Sequence, residues 1–260
     1  SEGRIQIDCA PHAIYTCPKE TYQFAHSWTK DHQAILHTHL SETQLEVQDC
    51  IRETGKTPLE YLLDIGALQD VKSLLAHCVH LTDSEADALH DLDSSLVHNP
   101  SSNCKLSSGI APISSYIQKG VTVALGTDGA SSNNNLNMVE EMHIASLLGK
   151  VHATTHQKLH PYDVLRMATA DGAKALGLQQ KIGMLKAGME ADILLVDIHK
   201  SHLTPLNDPF SALVYATQAS DVDTLICQGR VLMEGRRLMT LDQDQIIKDV
   251  QKSWADVQQR

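Results

Sequence analysis

Five short apolar runs, at residues 5–9, 34–39, 73–77, 95–98 and 121–127, each give way to a polar loop and then to a longer segment of helical period. This alternation is the signature of repeated βα units around a parallel sheet. Helix starts are well marked. Pro18-Lys19-Glu20 opens one, Ser41-Glu42-Thr43 precedes another, and Thr82 to Glu85 has the spacing of a capping box. Two more helices are predicted over residues 137–148 and 160–175. After Gly177 the pattern changes: Gly183, Gly188, Gly229 and Gly235 punctuate short strand-like runs at 192–197 and 224–227, and Gln228-Gly229 sits where a hairpin turn belongs. An amphipathic helix over Gln243–Gln258 closes the chain. The predicted class is therefore α/β, with five βα units in residues 1–178 and a small β portion plus a closing helix in 179–260. A closed (β/α)₈ barrel needs eight strands. An open five-stranded sheet is the alternative, and its loops would carry other signatures.

Composition removes several function classes. A hydrophobic share of 42% with 20% charged residues supports a buried core and excludes global disorder. No run approaches the roughly 18 apolar residues of a membrane span, and Ser1-Glu2-Gly3-Arg4 does not lead into a signal-peptide core. A net charge of −11 with no basic block argues against a nucleic-acid partner. Six scattered cysteines without a C-x-x-C fit a reducing cytoplasm. Fifteen histidines stand against two Phe and two Trp, so imidazole is common where aromatic bulk is scarce.

Position decides which histidines matter. Parallel sheets carry their sites at the C-terminal edge of the strands, and every run ends there in a polar group: His12, His37-Thr38-His39, His77, His98-Asn99 and Asp128. Residues two apart on a strand share a face, so His37 and His39 point the same way, with His39 nearer the rim and the better ligand candidate. Glu42 can swing over the same mouth, or it is a first-turn carboxylate favoured by the helix dipole. His77, rather than His80, lies within the third apolar run. Asp128 is either a metal ligand and base or a cap for the loop it begins. Imidazoles and a carboxylate converging from different strands suit zinc, which lowers the pKa of a bound water to about 7. Glu42 would then shuttle protons.

The blocks Pro-His-Ala-Ile-Tyr-Thr-Cys (11–17), Leu-His-Thr-His-Leu-Ser-Glu-Thr (36–43), Ala-His-Cys-Val-His-Leu (76–81), His-Asn-Pro-Ser-Ser-Asn-Cys-Lys-Leu-Ser-Ser-Gly-Ile-Ala-Pro (98–112) and Leu-Gly-Thr-Asp-Gly-Ala-Ser-Ser-Asn-Asn (125–134) resemble the amidohydrolase superfamily. Within it the chain is most similar to the 5-methylthioadenosine/S-adenosylhomocysteine deaminases of the triazine-hydrolase-like branch, over essentially its whole length. The resemblance implies a partial TIM-like barrel made of the last five βα units, followed by a small C-terminal β-sandwich portion. It implies one zinc ion held by His39 and Asp128, with Asp128 also the base toward the metal-bound water. Glu42 would protonate the purine ring nitrogen, His77 would polarise and orient the water, and His12 would touch the nucleoside side of the substrate. Hydroxide attacks C6 of adenine and ammonia leaves. The cytidine-deaminase chemistry is the contrast, and its P-C-x-x-C is absent here.

The family takes two further ligands from a His-x-His on the first barrel strand, which these residues do not contain. His37-Thr38-His39 has the surroundings of the fifth strand instead. Residues 5–12 hold no bridging lysine, which favours a mononuclear centre. The chain is thus expected to be the C-terminal portion of such an enzyme, associating with the N-terminal portion or with another copy. The competing expectations are a non-catalytic fragment or interaction subunit, and a related hydrolase of the guanine deaminase or chlorohydrolase type.

Overall fold

The computed structural model describes residues 5–152 and 159–258. Four of the five expected parallel strands form: β1 (Ile35–Leu40), β2 (Lys72–His77), β3 (Ser94–His98) and β4 (Val123–Leu125), in the order β1-β2-β3-β4. The first expected run, 5–9, is the exception. It lies alongside β1 through one parallel bridge, Cys9 to Leu36, with Cys9 N 3.0 Å from Ile35 O and His37 N 2.9 Å from Cys9 O. Further back, the carboxylate of Asp8 accepts the Ile35 amide at 3.0 Å. A side chain thereby takes a place that a ladder carbonyl would fill, and Ile5 and Ile7 stay exposed.

The connecting helices are α1 (Lys19–His32), then α2 (Gln44–Thr54) and α3 (Pro58–Asp64) after β1, α4 (Asp83–Ala88) after β2, and α5 (Pro100–Lys105) and α6 (Ile113–Gln118) after β3. Beyond β4 come α7 (Ala130–Asn133), α8 (Met138–His152), α9 (Pro161–Met167) and α10 (Ala170–Ala175). Thr82 forms the expected capping box with Glu85, and Thr57 forms another with Glu60. One face of the sheet, with Leu36, Leu75, Leu96 and Val123, joins the main core with Tyr22, Leu59, Leu62 and Tyr116. The other face carries Ile35, Leu74, Val97 and Ala124 against Ala175. By strand alternation His37 and His39 belong to that second face.

The β3–β4 junction is unusually tight. A Cβ placed on Gly126 would lie 2.5 Å from Asn99 Oδ1 and 2.7 Å from Val97 Cγ1, so only glycine lets the chain leave β4 toward Asp128 along this path.

The remaining residues form one antiparallel sheet of β5 (Ile193–Val196), β6 (Val222–Cys227), β7 (Arg230–Glu234) and β8 (Arg237–Leu238), in that order. The Gln228-Gly229 hairpin turn is present, with φ 48° and 74°, the doubly positive pair that a tight hairpin requires. Among the described residues these four strands form a single sheet. The short α11 (Pro209–Ser211) leads into a π-helical turn at Ala212–Ala216, which docks on α8 where Ser146 Oγ meets Tyr215 Oη at 2.5 Å. The last helix, α12 (Gln243–Gln258), forms as expected and is exposed along its length. Among the described residues no helix is long and apolar enough to cross a membrane.

Two stability outcomes follow from this packing. Gly126→Ala should destabilise the chain by about 1–3 kcal/mol, the usual cost of overpacking, and urea unfolding followed by circular dichroism should show the lowered midpoint. Buried His98 has its pKa pushed down to about 3, first by desolvation and then by the neighbouring His77. Unfolded, it titrates near about 6.5. Its contribution is therefore fully present above about pH 6.5 and is lost as pH falls toward the folded value. Between pH 7 and pH 5 the loss assigned to this one group is about 2 kcal/mol. His98→Gln should lose correspondingly less stability than the native chain over that interval.

Candidate metal centre

The site begins with the backbone at the end of β1. His12 O accepts two hydrogen bonds from His39, one from its amide at 2.9 Å and one from its Nδ1 at 2.8 Å. A carbonyl can only accept, so Nδ1 carries a proton, and the nitrogen free to present a lone pair in the neutral ring is Nε2. His12 itself is exposed at the rim, its ring 4.7 Å from that of His39 and its Nδ1 2.7 Å from Thr16 Oγ1.

His77 ends β2 and is paired in register with Leu40, a core residue. Strict alternation would send its side chain into the helix layer. Its φ of 70° diverts it, and the ring stacks on His39 at 4.9 Å. His77 is 1% exposed, with Nδ1 2.7 Å from Asn103 Oδ1. Its Nε2 has no hydrogen-bond partner: Glu42 Oε2 is 3.8 Å away and Asp128 Oδ2 3.9 Å, beyond hydrogen-bond range. Burial pulls the His77 pKa down against the field of Glu42, which favours the neutral ring. A buried unpartnered nitrogen is rare and requires an explanation.

Asp128 sits in the left-handed region at φ 62°, just past β4. Its Oδ1 accepts from the Gly129 amide at 2.7 Å, and its Oδ2 from Ser102 Oγ at 2.6 Å and Ser132 Oγ at 2.9 Å. Burial alone would raise its pKa, but the Ser102, Gly129 and Ser132 donors and nearby His77 outweigh it, and the carboxyl stays below the ordinary range.

Glu42 is aimed by a second carboxylate. The Thr43-x-x-Glu46 spacing looks like a capping box, and Thr43 Oγ1 does accept the Glu46 amide at 3.1 Å. The Glu46 side chain, however, reaches past the cap to the amides of Ser41 at 3.0 Å and Glu42 at 2.7 Å. Burial raises the Glu46 pKa while those amide donors oppose the rise. Glu42 Oε1 then accepts from Ser108 Oγ at 2.8 Å, and Ser108 O is held by His80 Nε2 at 2.7 Å. His80, which lies beyond the third apolar run, props the loop that restrains Glu42.

All five expected site residues are therefore gathered at one edge of the sheet, with His12 at the rim. His39, His77 and Asp128 each offer one donor atom within 4.8 Å of the others. Two imidazole nitrogens and a carboxylate oxygen are of the donor types that zinc takes, and Nε2 of His77 is buried without a partner among them. Below them, His37 is held neutral by burial and by His39, its pKa lowered. Ser102, Asn103, Ser108 and Glu46 were not singled out from sequence. The first three lie inside the 98–112 block, which was the available signal.

The Amidohydrolase family profile matches residues 1–232. The chain is 43% identical over 252 residues to a 5-methylthioadenosine/S-adenosylhomocysteine deaminase of Caldanaerobacter subterraneus subsp. tengcongensis, a match that takes in 97% of this chain and 58% of the relative. It superposes on an adenosine deaminase of Xanthomonas campestris solved with bound zinc, at TM-score 0.93 and 31% identity, over 97% of this chain and 57% of the other. An atrazine chlorohydrolase variant of Arthrobacter aurescens, solved with zinc and atraton, matches at TM-score 0.90 and 25% identity over 96% of this chain and 55% of its own. The chain thus spans a little under three fifths of the curated relative it matches. With the family profile covering most of its length, the chain belongs to the amidohydrolase family.

Proposed function

We propose that this chain carries the C-terminal part of the active centre of a deaminase that hydrolyses 5-methylthioadenosine or S-adenosylhomocysteine to the inosine derivative and ammonia. The observation that carries the reading is the convergence of His39, Glu42 and Asp128 on one unpartnered nitrogen of His77. The 43% identity to a protein of that activity supports the choice of substrate. In the same reading, residues 1–178 are the last five units of a partial TIM-like barrel, with the bridge at Cys9 standing for the first. Residues 179–260 are a small β domain segment, part of a sandwich, with its closing helix.

His39 and Asp128 are the proposed ligands of a single zinc ion, which when bound supplies Lewis-acid chemistry and lowers the pKa of water. The other steps fall to the protein. His77 presents Nε2 as an acceptor that orients the attacking water. Asp128, an anion held by three donors, takes a proton from it. Glu42 has Oε1 engaged by Ser108, which leaves Oε2 to carry a proton to the purine ring nitrogen. Water adds at C6, Asp128 passes the proton it took to the C6 amino group, and ammonia departs as the new hydroxyl becomes the carbonyl and returns its proton to Glu42. His12, exposed at the rim, meets the nucleoside side.

Two outcomes test this. With the chain joined to the N-terminal portion found in the longer relatives, a coupled assay should detect ammonia release from either substrate. Glu42→Gln should lower kcat by about 10²–10⁴-fold, the usual worth of general acid–base catalysis. Absence of turnover on every adenosine derivative by the zinc-loaded protein would defeat the proposal. For the 260-residue chain alone, two ligands fall short of the three that catalytic zinc normally has, so it should purify with little metal by elemental analysis. Stoichiometric zinc, lost on His39→Ala, would instead show that its own donors suffice.

A further inference from the structure

Two consecutive residues of α5 each grip one residue of the site. Ser102 is fully buried and donates to Asp128 Oδ2 at 2.6 Å. Asn103 is 1% exposed and its Oδ1 lies 2.7 Å from His77 Nδ1. Successive helix positions diverge by about 100°, so one turn placed here reaches the end of β2 with one side chain and the loop after β4 with the other. The placement of that turn is itself fixed. Glu141 of α8, wholly buried, accepts the Ser101 amide at 3.1 Å through Oε2 and Asn133 Nδ2 at 2.7 Å through Oε1. It therefore ties the start of α5 to α7, five residues beyond Asp128.

We propose that Asn103 is the positioning residue that locks His77 in its Nδ1–H tautomer, so that Nε2 faces Asp128 and Glu42 as an acceptor, while Ser102 orients Asp128 and Glu141 holds both in place. The role follows from donor chemistry. An amide oxygen can only accept, so the imidazole nitrogen facing it must donate, and a neutral ring has one proton to give. The nitrogen left bare is the one without a partner, between two carboxylate oxygens at 3.8 and 3.9 Å. An acceptor among acceptors is suited to receive a cation or a water proton. The other tautomer would close that nitrogen to a metal and turn a donor toward the water. The functional meaning of the lock rests on the site reading proposed above, but the tautomer itself does not.

The test is a long-range ¹H–¹⁵N correlation spectrum of the metal-free 260-residue chain with labelled histidine at neutral pH, the His77 ring being identified by its loss in His77→Gln. The expected pattern is a protonated Nδ1 and an unprotonated Nε2. Asn103→Leu should abolish it, giving the Nε2–H form or an average of the two, whereas Ser102→Ala should leave it intact. Ser102→Ala should instead weaken zinc binding by the chain joined to the N-terminal portion, read by competition with a chromophoric chelator, about 10–100-fold, the usual effect of removing a group that supports a ligand. A native His77 protonated at Nε2 overturns the proposal whatever zinc does, and so does an Asn103→Leu chain that keeps the Nδ1–H form. If Asn103→Leu does not fold, the native spectrum still decides. The expected tautomer in the native chain, with no zinc affinity at millimolar metal once that chain is joined to the N-terminal portion, would count against the site reading and leave the lock standing.

Discussion

The parallel register of β1 against β2 is the constraint on which the site depends. It sets His39 opposite Ala76 and Leu40 opposite His77, so the two imidazoles begin on opposite faces of the sheet. Only the left-handed turn at His77 brings its ring back over His39. The β3 and β4 registers then align the ends of those strands with the same edge, which is where α5 and Asp128 emerge.

The strand ends hold backbone in unfavourable regions. Ser41, His77, Cys78 and Asp128 all have positive φ, and such a residue costs on the order of 1–3 kcal/mol. The surroundings compensate with directed hydrogen bonds. Cys78 N donates to Leu40 O at 3.0 Å, and buried Tyr116 donates its hydroxyl to Cys78 O at 2.8 Å. Two buried carboxylates, Glu46 and Glu141, serve as staples of a similar kind, Glu46 on the amides of Ser41 and Glu42 just past β1, and Glu141 on the Ser101 amide of α5 and the Asn133 side chain of α7.

Much of this was legible in the sequence, because short apolar runs ending in histidine or aspartate report both a strand and its chemically active end. His39, Glu42, His77 and Asp128 were accessible for that reason. The 5–9 run misled because a side chain, Asp8, took the Ile35 amide, and hydrophobic pattern does not register that substitution. His80 was passed over because it lies beyond the third apolar run, yet it matters through Ser108, a contact between separate loops. Ser102 and Asn103 read as an undistinguished Ser/Asn stretch, since their roles depend on which loops lie next to α5. The hairpin at Gln228-Gly229 was visible because its requirement is local, whereas the number of layers in the second sheet region is not a local property.

The buried imidazoles near the site have a consequence for its charge. His37 and His98 both have lowered affinity for a proton, and His98 Nδ1 has no hydrogen-bond partner. Rings that resist protonation bring no positive charge toward His77 and Asp128. The imidazole that does face solvent at this edge is that of His12, beside Thr16.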